Sequence, residues 1–445
     1  MRNQKQSARA VANHILQRIE ADGAYSDIVL SHTLEQHTLP ERDRALVSEL
    51  VRGCVRWKMH LDWIVQQLFQ GEISKMPLDV RILLWQALYQ LKIMKTPEYA
   101  VVNEYVRLVK ELQRFAWTGV VNGLLRNYIR HAQEISLPDP ISHPIEHVAL
   151  ATSHPEWLVS RWQQQFGDEI TRQVCEANNR VPALSARVNQ TQISVDDFCA
   201  VLDMQQTRYE RSLLPGFVRI LDVKDELRWT LLAEGKMTIQ DESAGLVTFL
   251  AEPQSGEIVV DLCAAPGGKT THLAEAAPGC IVMSGDIHRR RTRLIRVAEE
   301  RLKLGNIYIV TADALNFPVV KANCVLLDAP CSGLGLLRKK PEIRWQRREQ
   351  DIAELIALQK KLLRRAAEYV APGGRLIYST CTIDQEENEQ VVFDFCANSD
   401  FMIAPADLNQ IPPEFVTRDG FIRTWPHLHN MDGAFAAKLK KRNIV

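Results

Sequence analysis

Along residues 1–140, apolar side chains recur at helical spacing. Val11, Ile15, Leu16 and Ile19 form one stripe, and Leu46, Val47, Leu50 and Val51 a second. Ile82, Leu83, Leu88 and Leu91 make a third, and Val102, Val106, Leu108 and Val109 a fourth. Recurrence at i, i+3 and i+4 marks the buried face of a helix. Gly53, Gly71, Pro77 and Pro97 punctuate the run, and strand-like alternation is scarce. The expectation is an all-α bundle over 1–140, closed by a linker from Ile135 to Pro144 that carries three prolines. Between 145 and 237 the texture is mixed. Trp157–Trp162 reads as a helix, Leu184–Asn189 as a strand and Val195–Met204 as a helix, which makes a small α/β domain.

From 238 to 445 short β-branched runs take over, separated by amphipathic segments. Ile258-Val259-Val260 ends at Asp261, Cys280 to Gly285 at Asp286, and Asn306 to Val310 at Thr311-Ala312-Asp313. Val325-Leu326-Leu327 ends at Asp328, and Arg375 to Tyr378 at Ser379. Strands alternating with helices predict an open α/β sheet, whose carboxyl ends are where ligands collect. No internal repeat or low-complexity segment is present.

The chemistry gathers at those strand ends. Asp328-Ala329-Pro330-Cys331-Ser332-Gly333 and Ser379-Thr380-Cys381-Thr382 each follow an apolar run. A free cysteine is ordinarily a buried small hydrophobe. Two at neighbouring strand ends, one beside an aspartate, suggest paired thiol chemistry instead. Upstream, Asp261 leads into Cys263-Ala264-Ala265-Pro266-Gly267-Gly268-Lys269-Thr270, a glycine-bearing first βα turn. It has neither P-loop nor GxGxxG spacing. A single aspartate at a strand end is commonly a helix cap. Four in register (Asp261, Asp286, Asp313, Asp328) read as a ligand cradle, with Asp286 where a carboxylate would meet ribose hydroxyls.

With these motifs in this order and spacing, the chain resembles the Sun-type RNA cytosine-5 methyltransferases, and among them the bacterial enzymes acting on small-subunit ribosomal RNA. The likeness includes Ile239 to Ala244 ahead of the sheet and runs over nearly the whole chain. The first 140 residues resemble the NusB-type RNA-binding fold, through Glu41-Arg42-Asp43-Arg44 and helices beginning near Leu78 and Val101. One departure lies in Asp432 to Leu439, which resembles the family's closing strand but carries alanines where bulkier aromatics are usual.

The resemblance implies three domains: a NusB-like helical domain (1–140), a small α/β accessory domain (145–237) and a Rossmann-like methyltransferase domain (238–445). It implies S-adenosyl-L-methionine as cofactor, lying along Cys263, Ala264, Ala265, Pro266, Gly267, Gly268 and Lys269, with Asp286 on the ribose, Asp313 near the adenine and Asp328 at the methyl end. It assigns Cys381 to attack on carbon 6 of cytosine and Cys331 to the release step. Asp328, if held protonated, is expected to hydrogen-bond ring nitrogen 3. The substrate implied is 16S ribosomal RNA, free or partly assembled, with the target base single-stranded or flipped out. A cytosine-5 enzyme of transfer RNA or DNA, and a non-catalytic RNA-binding assembly factor, are the alternatives. The intact motif set speaks against the last.

Composition adjusts this picture in three places. Across 445 residues, nine cysteines without CxxC pairs point to a reducing cytoplasm rather than a disulfide framework. No metal-ligand spacing occurs; His143, His147 and His154 sit among prolines and read as a surface linker. No signal peptide is evident from Met1 to Leu16, and no apolar run approaches the roughly 18 residues of a membrane span. A monomer is expected. Net charge is zero, yet two basic stripes stand out. Arg289-Arg290-Arg291-Thr292-Arg293 continues to Arg296, Arg301 and Lys303, and reads equally as a solvated helix face or an RNA contact. Arg338-Lys339-Lys340 continues through Arg344-Trp345-Gln346-Arg347-Arg348, with Trp345 placed to stack on a base, and is expected to contact RNA. Arg187 and Asn189 read equally as RNA contacts or as an edge-strand surface.

Overall fold

A computed structural model describes residues 7–222, 225–319 and 321–442. Residues 1–6, where the reading of Met1 to Leu16 begins, and the last three residues of the third expected domain lie outside the described residues. The chain forms two compact units. One is the chain up to Asn179 together with Lys339–Arg347; the other is Arg180–Arg338 with Arg348 onward. The three expected domains and these two units therefore cut the chain differently.

In the first unit the stripes become helices Ala8–Asp22, Ser26–Gln36, Glu41–Leu68, Leu78–Lys92, Glu98–Glu111 and Thr118–His131. The Ser7 side chain accepts from Ala10 N at the start of the first, and Gly23, at φ 61°, ends it in the left-handed conformation glycine tolerates. Val11, Ile15, Leu16, Val47, Leu50, Ile82, Leu88 and Val109 share one core. Helices Pro144–Thr152, Glu156–Phe166 and Asp168–Ala177 also belong to this unit.

Two expectations are corrected here. Of the histidines read as a surface linker, His143 is exposed, but the other two are not. His147 contacts the Pro138 carbonyl at 2.7 Å, and His154 is fully buried beside Thr152 and the Trp162 ring. Burial first, and the Arg344 charge second, hold its imidazole well below the usual range. The second basic stripe is largely a structural strap. Glu342 accepts from Ser26 N and Oγ at 3.2 and 2.9 Å, capping a helix that lacks a capping side chain of its own. Trp345 Nε1 donates to the Val55 carbonyl at 2.7 Å. Arg344, wholly buried, donates to Ser153 O at 2.8 Å and Asn179 Oδ1 at 3.1 Å, and burial pushes its guanidinium down to about 9. Carbonyl and amide acceptors supply what solvent does elsewhere, so a charge run is not by itself a surface. A chain lacking residues 1–144 leaves Trp345 without its acceptor and Arg344 partly uncovered. The truncation also strips Trp345 of the helical core it packs against. The truncated protein is expected to aggregate in size-exclusion chromatography rather than behave as a free catalytic fragment.

The second unit opens with strands β1 (Leu184–Val188), β2 (Tyr209–Arg211), β3 (Phe217–Ile220) and β4 (Met237–Ile239), paired antiparallel in the order β2-β3-β1-β4. Helix Val195–Met204 covers this sheet with Phe198, Cys199 and Leu202. β1 is interior, so Arg187 and Asn189 neither face RNA nor sit on an edge. Arg187, 2% exposed, donates to Gly268 O at 2.8 Å, Thr271 Oγ1 at 2.9 Å and Glu275 Oε1 at 2.8 Å. Asn189 Nδ2 donates to the carbonyls of Gly235 and Leu302.

The large sheet contains β5 (Ile258–Asp261), β6 (Ile281–Asp286), β7 (Ile307–Thr311), β8 (Ala322–Asp328), β9 (Val370–Thr380), β10 (Phe401–Ala404), β11 (Ile422–Thr424) and β12 (Ala434–Lys441). Its order is β10-β12-β9-β8-β5-β6-β7, with β11 on β12. β5 to β9 run parallel, and β12 lies antiparallel between β9 and β10. The strand order reverses between β5 and β8, the switch point where such sheets open a crevice. The alanines of β12 are buried beside β9, with Ala436 opposite Ser379, while Phe435 and Leu439 fill the core. No described helix is long and apolar enough to cross a membrane.

Candidate active site

The site is built at the carboxyl ends of β5, β6, β8 and β9. β8 and β9 are in register with Asp328 opposite Ser379, and the Ala329 N–H donates to the Ser379 carbonyl at 2.8 Å. That pairing carries both motif loops off the sheet side by side. Cys331 Sγ and Cys381 Sγ lie 3.3 Å apart, and the Cys381 N–H donates to Cys331 Sγ at 3.4 Å. The two thiols are inequivalent. A hydrogen bond from Cys331 lowers the Cys381 thiol, with burial opposing and the Lys269 charge assisting. The same bond, with burial, raises Cys331 well above the ordinary thiol range. Cys381 is thus the thiol of the pair that loses its proton more readily, with Cys331 placed to donate to it.

Lys269 Nζ donates to Asp328 Oδ2 at 2.7 Å, and Ser379 Oγ donates to Oδ1 at 2.7 Å. Burial works against the Lys269 charge, but the Asp328 carboxylate more than offsets it, and the ammonium ends above its usual range. Both Asp328 oxygens thus act as acceptors, one from Lys269 and one from Ser379. Lys269, placed by sequence in the cofactor turn, also stands close enough to Cys381 for its charge to act on that thiol.

The other strand-end aspartates divide. Asp261, fully buried, accepts from Thr270 Oγ1 at 2.7 Å, and burial pushes its carboxyl up to about 7. It fixes the start of helix Gly268–Ala276 rather than facing a ligand. Asp286 Oδ1 accepts from His288 N at 2.9 Å, and its Oδ2 lies 3.2 Å from Arg291 Nη1. Asp313 Oδ1 accepts from Leu315 N at 2.9 Å. Both cap backbone and keep lone pairs spare. Ala264 N–H donates to the Gly285 carbonyl at 2.8 Å and Arg291 Nη2 donates to the Ala265 carbonyl at 2.9 Å. The turn from Cys263 through Pro266 to Gly268 is thereby brought against the end of β6. Gly267, at φ 108°, packs where an added Cβ would lie 3.2 Å from Ile295 Cα. Burial raises the Cys263 thiol, so it offers no thiolate.

Four contributors escape a reading by motif. Ser379 and Ser332 lie inside the quoted segments without an assigned task. Glu387 follows in the acidic run Asp384 to Glu389, a signal that was available. Gln359 sits mid-helix in Glu349–Glu368 with nothing in its surroundings to mark it.

Residues 248–440 match the family described as 16S rRNA methyltransferase RsmB/F, residues 6–130 the NusB family, and residues 154–220 the ferredoxin-like domain of RsmF/B-like methyltransferases. Fold and site together define a methyltransferase carrying a NusB-like helical region and a small ferredoxin-like sheet. The chain is 33% identical to the probable ribosomal RNA small subunit methyltransferase B of Bacillus subtilis, over 98% of this chain and 99% of the relative. A protein of the same description from Synechocystis is 35% identical over 98% and 99%. The crystal structure of PH0851 is similar with a TM-score of 0.80 and 26% identity, over 98% of each chain. The chain belongs to the ribosomal RNA small subunit methyltransferase B family.

Proposed function

We propose that this methyltransferase modifies carbon 5 of a cytosine in small-subunit ribosomal RNA, through a transient bond between Cys381 and carbon 6. The observation that carries this reading is the thiol pair itself, Cys331 and Cys381 at 3.3 Å beside the Lys269–Asp328 ion pair. Carbon 5 is a poor nucleophile until a thiolate adds to carbon 6, and the lowered Cys381 thiol suits that attack. As charge builds on the ring, Asp328, protonated once the base closes the pocket, donates a hydrogen bond to nitrogen 3. S-adenosyl-L-methionine, when bound, supplies an electrophilic methyl group. The residues of the turn fit it: Asp286 and Asp313 have spare acceptor positions for hydroxyl and amino groups, and Cys263 to Gly268 present backbone at a glycine-bearing strand end.

Cys331 completes the cycle. Beside a thiolate its proton is held tightly. Once Cys381 is spent as a neutral thioether, that neighbouring charge is gone and Cys331 becomes more acidic. As thiolate it takes the proton from carbon 5, and the Cys381–carbon 6 bond breaks to restore the aromatic ring. Bisulfite sequencing of ribosomal RNA incubated with the enzyme tests the reading. A single protected cytosine supports it; methylation of transfer RNA alone would redirect it.

Two further outcomes are expected. Asp286→Ala removes an acceptor and leaves Arg291 without its carboxylate partner, so S-adenosylhomocysteine should bind about 1–3 kcal/mol more weakly by calorimetry. Helix Arg289–Leu302 exposes Arg289, Arg290, Arg293 and Arg296 to solvent. If these four hold phosphates, replacing them with alanine lowers the salt-dependence slope of RNA binding by about 3, at roughly 0.7 per contact on single strands. An unchanged slope assigns them to solvent.

A further inference from the structure

Glu387 lies beyond the thiols, in the loop after β9, and is fully buried. Its Oε2 accepts from the Ser332 N–H at 2.8 Å and from Gln359 Nε2 at 2.9 Å, and its Oε1 accepts from the Ser332 hydroxyl. Gln359 Nε2 also donates to the Pro330 carbonyl at 2.9 Å. The carboxylate therefore grips the chain on both sides of Cys331, directly through Ser332 and by way of Gln359 through Pro330. Ser332 Oγ lies 2.9 Å from Thr382 Oγ1, which ties this loop to the residue after Cys381. Glu387 is itself anchored, since Tyr378 OH donates to its carbonyl at 2.7 Å. A buried carboxylate is costly, and burial does push this one above its ordinary range. Its bonds from one amide, one hydroxyl and one carboxamide are the compensation.

We propose that Glu387 is a positioning residue for the thiol pair: acting through Ser332 and Gln359, it fixes the Cys331 loop so that Cys331 Sγ stays within hydrogen-bond reach of Cys381 Sγ. The inference rests on the reading of Cys381 as nucleophile only for its catalytic consequence. The groups facing Cys381 are Cys331 from the loop after β8, Lys269 from helix Gly268–Ala276, Asp328 from the end of β8 and Glu387 itself. Asp384 and Ser332 face Glu387. The sign is diagnostic. As a bare negative charge, Glu387 disfavours the Cys381 thiolate, and neutralising it would make Cys381 more acidic. As the clamp on its hydrogen-bond donor, Glu387 favours the thiolate, and loosening it makes Cys381 less acidic.

The test is the rate of Cys381 alkylation by iodoacetamide against pH, read by peptide mass spectrometry on the full-length protein, for wild type, Glu387→Gln, Glu387→Ala and Cys331→Ala. Positioning predicts that Glu387→Ala moves the Cys381 profile to higher pH by about one unit, so that alkylation near neutrality slows about tenfold. Cys331→Ala should do the same, and Glu387→Gln, which retains one acceptor oxygen, should fall between. The fall in kcat should follow the profile, with KM for RNA within about twofold of wild type. Thermal melts identify variants that fail to fold, and Ser332→Ala then reports on the same clamp from its other end. A profile that stays in place in folded Glu387→Ala and Ser332→Ala, or moves to lower pH, overturns the proposal. A shifted profile alongside a Cys381→Ala enzyme that still turns over would keep the positioning role and remove Cys381 as nucleophile.

Discussion

Cys381→Ala should fold, bind cofactor and fail to methylate. Loss of a covalent nucleophile lowers kcat by at least about 10⁴-fold, because what remains is positioning without the reactive group. Affinity for S-adenosylhomocysteine should be near wild type, since the proposed cofactor contacts lie on β5, β6 and β7 and the turns that follow them. Single-turnover assays with labelled cofactor check the first point and calorimetry the second. The pH dependence follows from the thiol pair. The thiolate is the reactive form, so the rate rises as pH rises through the Cys381 value. Cys331 holds that value below an ordinary thiol, and the acid limb of kcat should lie correspondingly low. Appreciable turnover by Cys381→Ala would remove the assignment, whatever the geometry of the pair.

What the sequence disclosed and what it hid differ for physical reasons. The helical stripes and the five strand runs ahead of Asp261, Asp286, Asp313, Asp328 and Ser379 were legible because periodicity records burial, and burial decides both element type and face. The juxtaposition of Cys331 and Cys381 was legible only as two strand ends; the distance between the sulfurs depends on β8 and β9 being neighbours in register. Charge misled most. Arg344, Trp345 and Arg187 look like RNA contacts when read along the chain, yet each is satisfied by carbonyls, amides or a buried carboxylate distant in sequence. Gln359 and Glu387 were obscure for the same reason, because a polar side chain carries no periodicity to show what it clamps. Lys269 sits in a cofactor-type motif while its ammonium reaches the end of another strand.

Cys331→Ala should separate the two halves of the reaction. It leaves Cys381 and the Lys269–Asp328 pair in place, so the bond to carbon 6 forms and the methyl group transfers, though more slowly near neutrality because Cys381 has lost its hydrogen-bond donor. What is missing is the base for the carbon 5 proton. Without its departure the ring cannot regain aromaticity, and the Cys381–carbon 6 bond persists. Methylated RNA should therefore accumulate covalently on the protein, as a slowly migrating band in a denaturing gel that carries label from both cofactor and RNA. Cys381→Ala should give no band. The double variant should match Cys381→Ala, since an adduct must form before it can be trapped. The opposite pattern, a band with Cys381→Ala and none with Cys331→Ala, would make Cys331 the attacking thiol. Cys331 follows Pro330 as the nucleophile follows proline in DNA cytosine methyltransferases. In this site that role would require Cys331 to attack with the more tightly held proton of the pair.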